Sequence, residues 1–363
     1  MDPDDDLEPL PEAETAELTR RVEAEYRELL EASPDASART PSEVVLQRAQ
    51  LTLRHYGPQQ PAAGMLPVLM VPPLAASATC YDLRPGYSLA AHFVQTGRPT
   101  YLADYGDISL RRDQDLGLEH WVEDVLPTSV EEVSQRHDGA AVHLIAWSLG
   151  GILAVATQAE RPDVPIRSIA MVGTPFDFDV SPALKPVRMA RRVTGGRVGG
   201  SLIRIVGGTP RPVNMAAFYL TDPVRLATKP LFKYRHREDE EVIAHVEAID
   251  ALMDRMGTYS GRTLAQLYHR FVAMNEIAGG TVTLGETVID LAAVSVPVLA
   301  IAGEGDQVLG PKKSIFHARE VLPNAEVTLT TVPGGHVGAL TGRSAPGTTW
   351  VTVDEYFAAH EGV

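Results

Sequence analysis

The chain has 363 residues, 44% hydrophobic and 22% charged, with 30 Gly, 27 Pro and one cysteine, Cys80. That mixture excludes a collagen-like or wholly unfolded chain, and a lone cysteine excludes a disulfide framework or a multi-cysteine metal site. The formal charge of −15 is concentrated in residues 1–35, where thirteen acids face Arg20, Arg21 and Arg27; the rest of the chain carries only −5, which argues against nucleic acid as a partner.

The opening Met-Asp-Pro-Asp-Asp-Asp lacks the basic and apolar regions of a secretory signal, which points to a cytoplasmic protein. Residues 1–60 read as an acidic disordered tail followed by a helical extension. Leu18, Val22, Tyr26, Leu29 and Leu30 space a helix over Glu14–Ala32, and Pro41-Ser42 reads as the start of a second helix reaching Arg54. Apolar runs then follow at Leu66–Val71, Pro99–Ala103, Val142–Trp147, Ser168–Val172, Val298–Ala302 and Glu326–Val332. Helical stretches separate most of them, at Ser88–Gln95, Leu118–Arg136 and Gly150–Glu160. Continuous apolar strands alternating with helices predict an α/β fold, a mainly parallel sheet with helices on both faces. The alternation breaks in the middle, so the core is read as residues 60–178 and 290–363, with 179–289 an inserted cap. The longest apolar run, Ala140–Ala156, is broken by His143, Ser148 and Gly150-Gly151 and is shorter than the roughly 20 residues of a membrane span. No transmembrane segment is expected.

The run Val142-His143-Leu144-Ile145-Ala146-Trp147 ends at Ser148, and Leu149-Gly150-Gly151 follows at the start of a helix. A serine on a tight strand-to-helix turn, with small residues two places before and after, is a nucleophile elbow. Ala146 stands where glycine is usual. Such a serine needs a base, and the base an orienting acid, in the chain order serine, acid, histidine. Val298–Ala302 runs into Gly303-Glu304-Gly305-Asp306, and Glu326–Val332 runs into Pro333-Gly334-Gly335-His336. Ser148, Asp306 and His336 are therefore the candidate catalytic residues, with Glu304 the competing acid. His143 alternates into the sheet and reads as a core residue. The oxyanion hole should contain the Leu149 N–H and a donor from the loop after the first core strand. Pro72 and Pro73 have no N–H, which leaves Leu74 or Ala75.

With these residues in view the chain resembles the polyhydroxyalkanoate synthases, a branch of the α/β-hydrolase superfamily. The resemblance rests on Pro72-Pro73-Leu74, Tyr81-Asp82-Leu83-Arg84-Pro85-Gly86-Tyr87-Ser88, Tyr101-Leu102-Ala103-Asp104-Tyr105-Gly106 and the elbow. Thr174-Pro175-Phe176-Asp177-Phe178, Asn275 with Gly279–Leu284, Ile289-Asp290-Leu291, Asp306 and Gly335-His336-Val337-Gly338 continue it to about residue 340. It implies the α/β-hydrolase fold and favours Ala75 as the second oxyanion donor. The synthases carry cysteine in this elbow, whereas this chain has Ser148. An oxyester is a poorer acyl donor than a thioester, so hydrolysis of hydrophobic acyl esters is the first expectation. Acyl transfer from acyl-CoA or lipid donors, polymerisation included, is the alternative, and a non-catalytic acyl-chain or granule-binding relative is a third.

Between Val180 and Thr221 there is no acid, while Lys185, Arg188, Arg191, Arg192, Arg197, Arg204 and Arg211 contribute +7. Arg188, Arg191, Arg192 and Arg197 are candidates for binding an anionic substrate group or a peripheral lipid or granule surface. Pairing with the acidic N-terminus is the competing reading. No metal-ligand cluster or nucleotide loop occurs, so no cofactor is expected; homo-oligomerisation is left open.

Overall fold

The computed structural model describes residues 39–58, 61–108, 113–185, 208–209, 229, 231–307 and 309–362. The expected helix over Glu14–Ala32 lies outside them. Eight strands form one sheet: β1 (Glu43–Arg48), β2 (Leu51–Gly57), β3 (Val68–Val71), β4 (Thr100–Asp104), β5 (Val142–Trp147), β6 (Ile166–Val172), β7 (Val298–Gly303) and β8 (Val327–Val332). Their spatial order is β1-β2-β4-β3-β5-β6-β7-β8. The pairs β1–β2 and β2–β4 are antiparallel, and every other neighbouring pair is parallel.

The parallel strands are apolar throughout because both of their faces are covered. On one face Leu69, Val71, Leu144, Ala146, Ile169 and Met171 pack against Val130 and Val133 of helix α2 (Leu126–Arg136) and Ile152 and Leu153 of α3 (Leu149–Glu160). On the other, Val68, Met70, Ile145, Trp147, Ala170 and Val172 meet Phe93 of α1 (Leu89–Gln95) and Val353 and Phe357 of α5 (Thr349–Ala359). Alternate residues of one strand thus serve two cores, as the period of two demands.

One expectation is corrected. The helix expected from Ser42 to Arg54 is instead the β1–β2 hairpin, turning at Gln50 with φ +54°. In Leu51-Thr52-Leu53 the leucines are buried and the threonine half-exposed, an alternation of period two that outweighs the Pro41-Ser42 start signal. The helical extension of residues 1–60 therefore ends, in its described part, as two strands of the core sheet. The path Leu118–Arg136 is helical along its length, but Trp121–Val125 is π-helical. Pro127 has no N–H to return to the Glu123 carbonyl four residues earlier, which favours the wider turn there.

Between β6 and β7 the described residues include helix α4 (Glu240–Asp254), a short strand Tyr259–Ser260 paired with Gly208–Thr209, and a π-helical turn Leu267–Ala273. Among the described residues no helix is long and apolar enough to cross a membrane.

Candidate active site

Ser148 stands between the end of β5 and the start of α3 with φ +52° and ψ −122°. A non-glycine residue held there stores on the order of 1–3 kcal/mol of strain. The turn is held from both sides: Ser148 N–H donates to the Val172 carbonyl at 2.8 Å, and Thr174 Oγ1 donates to the Ser148 carbonyl at 2.9 Å. Gly150 explains the small residue after the serine, since a Cβ there would lie 2.5 Å from the Val71 carbonyl oxygen. Ala146 is fully buried within β5, where the sheet accommodates its methyl group.

The loops after β7 and β8 bring the other two candidates together. Gly303 lets them close, because a Cβ on it would meet the Gly334 carbonyl oxygen at 2.6 Å, and Gly305 N–H donates to that same oxygen at 2.8 Å. His336 Nδ1 then lies 2.6 Å from Asp306 Oδ2, and His336 Nε2 lies 2.9 Å from Ser148 Oγ. Asp306 is 3% exposed, whereas Glu304 is exposed to solvent and outside this chain of contacts. Trp147 Nε1 donates to the His336 carbonyl at 3.1 Å and steadies the loop.

Burial pushes the Asp306 carboxyl upward, but the hydrogen bond and charge of His336, with the N–H groups of Gly310 and Leu309, outweigh it and hold Asp306 below the usual carboxylate range. A carboxylate that stays ionised can fix the imidazole tautomer, leaving Nε2 to take a proton from the hydroxyl.

Beside Ser148 lies a cavity of about 210 Å³, with Ile152, Phe178, Leu267 and Phe271 among its apolar lining and His336 at the same wall as the serine. Phe178 and Phe271 stack with ring centroids 5.8 Å apart and 9° between planes. Asn275, at φ +52°, ties their segments together: its Oδ1 accepts from Phe178 N–H and its Nδ2 donates to Asp177 Oδ1, each at 2.9 Å.

Leu149, at the first position of α3, has a backbone N–H with no intrahelical partner. The Leu74–Ala75 loop turns sharply, as Ala76 N–H donates to the Pro73 carbonyl at 3.3 Å and Ala75 has φ +62°. Positive φ at the third residue alone defines a type II turn, where glycine is the usual occupant; alanine there costs about 1–2 kcal/mol. Among the described residues no backbone carbonyl accepts from the Leu74 or Ala75 N–H. Tyr259 Oη donates to the Leu74 carbonyl at 3.1 Å. Sequence reasoning missed Tyr259, which sits in the stretch read as a cap with no local pattern around it. Thr174 and Asn275 were visible only as part of the resemblance. Arg188, Arg191, Arg192 and Arg197 lie outside the described residues.

No family model matches the chain. It is 24% identical over 346 residues to the poly(3-hydroxyalkanoate) polymerase subunit PhaC of Haloferax mediterranei, covering 95% of this chain and 69% of that one. The PhaC subunits of Synechocystis and Allochromatium vinosum are 25% and 23% identical, over 82% and 90% of this chain and 79% and 90% of theirs. Among solved structures, a monoacylglycerol lipase of Paleococcus ferrophilus superposes with a TM-score of 0.53 at 15% identity, covering 85% of this chain and 99% of that one. The esterase RhEst1 of a Rhodococcus species gives 0.50 at 16%, over 88% and 99%. The chain is similar to the poly(3-hydroxyalkanoate) polymerase subunits and has the α/β-hydrolase fold.

Proposed function

We propose that this chain is an acyl-transferring enzyme whose nucleophile is Ser148. The observation that carries the reading is the continuous contact from Asp306 through His336 to a strained serine at the wall of an apolar cavity. Ser148 Oγ bonds to the acyl carbon as its proton passes to His336 Nε2, and the negative oxygen is met by the N–H groups of Leu149 and Ala75. Collapse breaks the bond to the leaving group, which takes the proton back from His336 and leaves an oxyester on Ser148. An acceptor hydroxyl then gives its proton to His336, attacks the ester and frees the serine.

The relatives' names, poly(3-hydroxyalkanoate) polymerase subunits, support acyl transfer to a growing chain better than the hydrolysis that sequence reasoning placed first, and acyl-CoA is the proposed donor. Hydrolysis is the second reading, in which water takes the place of the acceptor. It is favoured by Ser148 itself, an oxygen nucleophile where the resembled synthases carry sulfur. In either case the described residues Tyr259, Leu267 and Phe271 of the stretch read as a cap form walls of the cavity. Arg188, Arg191, Arg192 and Arg197 are the proposed source of positive charge for the donor's phosphates or an anionic surface; reversing their charge is expected to raise KM for acyl-CoA while sparing neutral esters.

Incubation with 3-hydroxybutyryl-CoA separates the readings. Release of CoA with oligomeric hydroxyacyl products identifies a transferase, and release with free 3-hydroxybutyrate identifies a hydrolase. Absence of both CoA release and a fluorophosphonate adduct on the intact protein would leave an acyl-binding protein.

A further inference from the structure

We infer that Tyr259 is a positioning residue for the oxyanion hole: its hydroxyl holds the Leu74–Ala75 peptide in the orientation that presents the Ala75 N–H to the acyl oxygen. The inference rests on reading Ser148 as the nucleophile, and deepens it.

Four consecutive residues between β6 and β7 reach carbonyls of core loops. Gly257 N–H donates to Ala75 at 2.7 Å, Thr258 Oγ1 to Ile108, Tyr259 Oη to Leu74 at 3.1 Å and Ser260 Oγ to Leu116 at 2.5 Å. Two of the four thus seize the two carbonyls of the turn that follows β3. Types I and II of such a turn differ by a flip of the central peptide, here Leu74 C=O and Ala75 N–H. In a trans peptide these two groups point in opposite directions, so holding one aims the other. Alanine at positive φ disfavours the observed type II form, and an untethered turn would relax toward type I, with Ala75 at negative φ and its N–H reversed. Tyr259 supplies the restraint that a glycine at position 75 would make unnecessary. Tyr259 is half-buried, and desolvation pushes its pKa up to about 12, so it remains a donor across the working range of pH. Its ring also lines the cavity beside Ser148 and Leu149.

The test compares wild type, Tyr259→Phe, and Tyr259→Phe combined with Ala75→Gly. It measures turnover of p-nitrophenyl butyrate and affinity for n-butylboronic acid, whose tetrahedral adduct on a serine places an oxygen in the oxyanion position. Removing an oxyanion donor outright costs about 10²–10³ in kcat. A donor lost for most of the time should therefore lower kcat and boronate affinity by about tenfold in Tyr259→Phe, with KM little changed. Adding Ala75→Gly should restore most of both, which general loss of packing at Tyr259 would not allow. Unchanged kcat and boronate affinity in Tyr259→Phe would overturn the tether while leaving the nucleophile intact, and so would a loss that Ala75→Gly fails to reverse. If wild type forms no boronate adduct on Ser148, the nucleophile assignment and the tether fall together.

Discussion

The strand β5 carries a serine–histidine–carboxylate set at each end, and the two differ in everything except residue type. At its C-terminal end Ser148, His336 and Asp306 are joined by contacts of 2.9 and 2.6 Å. At its N-terminal end His143 Nδ1 lies 2.8 Å from Ser168 Oγ, and its Nε2 is 3.9 Å from Glu361 Oε2. His143 and Ser168 are fully buried, opposite one another in the β5–β6 register, with the imidazole stacked on Phe357 at 4.5 Å. Glu361 also accepts from the Leu66 N–H at 2.6 Å and pairs with Arg98, which is 1% exposed. The second set clamps the C-terminal residues beneath the sheet, and no acyl carbon can approach Ser168. Residue types alone do not make a reaction centre: a serine must stand clear of the sheet, and only the turn after the strand's C-terminal end lifts it out.

The strongest way to break this comparison is to remove each serine. Ser148→Ala should cost on the order of 10⁴–10⁶ in kcat and abolish the fluorophosphonate adduct by intact mass, whereas Ser168→Ala should keep both. Equal effects would erase the distinction between the two ends. Next in size is the acid: Asp306→Asn should lower kcat by roughly 10³–10⁴, and Glu304→Gln by less than about twofold, measured on one ester.

The lower end answers in stability instead. Glu361→Ala leaves the Arg98 guanidinium buried without its closest carboxylate and should cost about 3 kcal/mol in denaturant unfolding, with kcat retained. A smaller effect sharpens the contrast at the cavity. Phe271→Leu opens the stacked wall and should raise the ratio of kcat/KM for decanoyl over butyryl esters several-fold, as each methylene that finds room contributes about 0.8 kcal/mol.

The smallest effect is in pH. Burial of His143 lowers its pKa, with Arg98 and Arg167 adding to the shift and Glu361 opposing it. Between an unfolded value of about 6.5 and the lower folded one, the unfolded chain binds more protons, so stability falls as pH drops through that window. His143→Asn should flatten this slope by about 1 kcal/mol per pH unit or less. Asp306 and Glu361 are depressed carboxylates whose contributions are present above about pH 4 and are lost only at lower pH.

The elbow, the parallel strands and the glycine-rich loop of His336 were legible because each is a local pattern: an apolar run, a small residue two places on, a turn signal. The β1–β2 hairpin was misread because Pro41-Ser42 also starts helices, and nothing within a few residues shows that β4 waits to receive β2. Asp306 is preferred to Glu304 from the sequence, although both acids follow the same strand, and the packed loops set Asp306 against His336 and leave Glu304 in solvent.

What the sequence by itself determined is the order of the strands' chemistry: a serine after β5, an acid after β7, a histidine after β8. Periodicity and turn residues act over a few positions, so they can be read one segment at a time. What only the tertiary structure decided is which groups meet. The set of His143, Ser168 and Glu361, the pairing of Asn275 with Phe178, and the reach of Tyr259 to the Leu74 carbonyl all join residues far apart in the chain. Such contacts depend on how the sheet is ordered and which face each strand presents, and no local pattern carries that information.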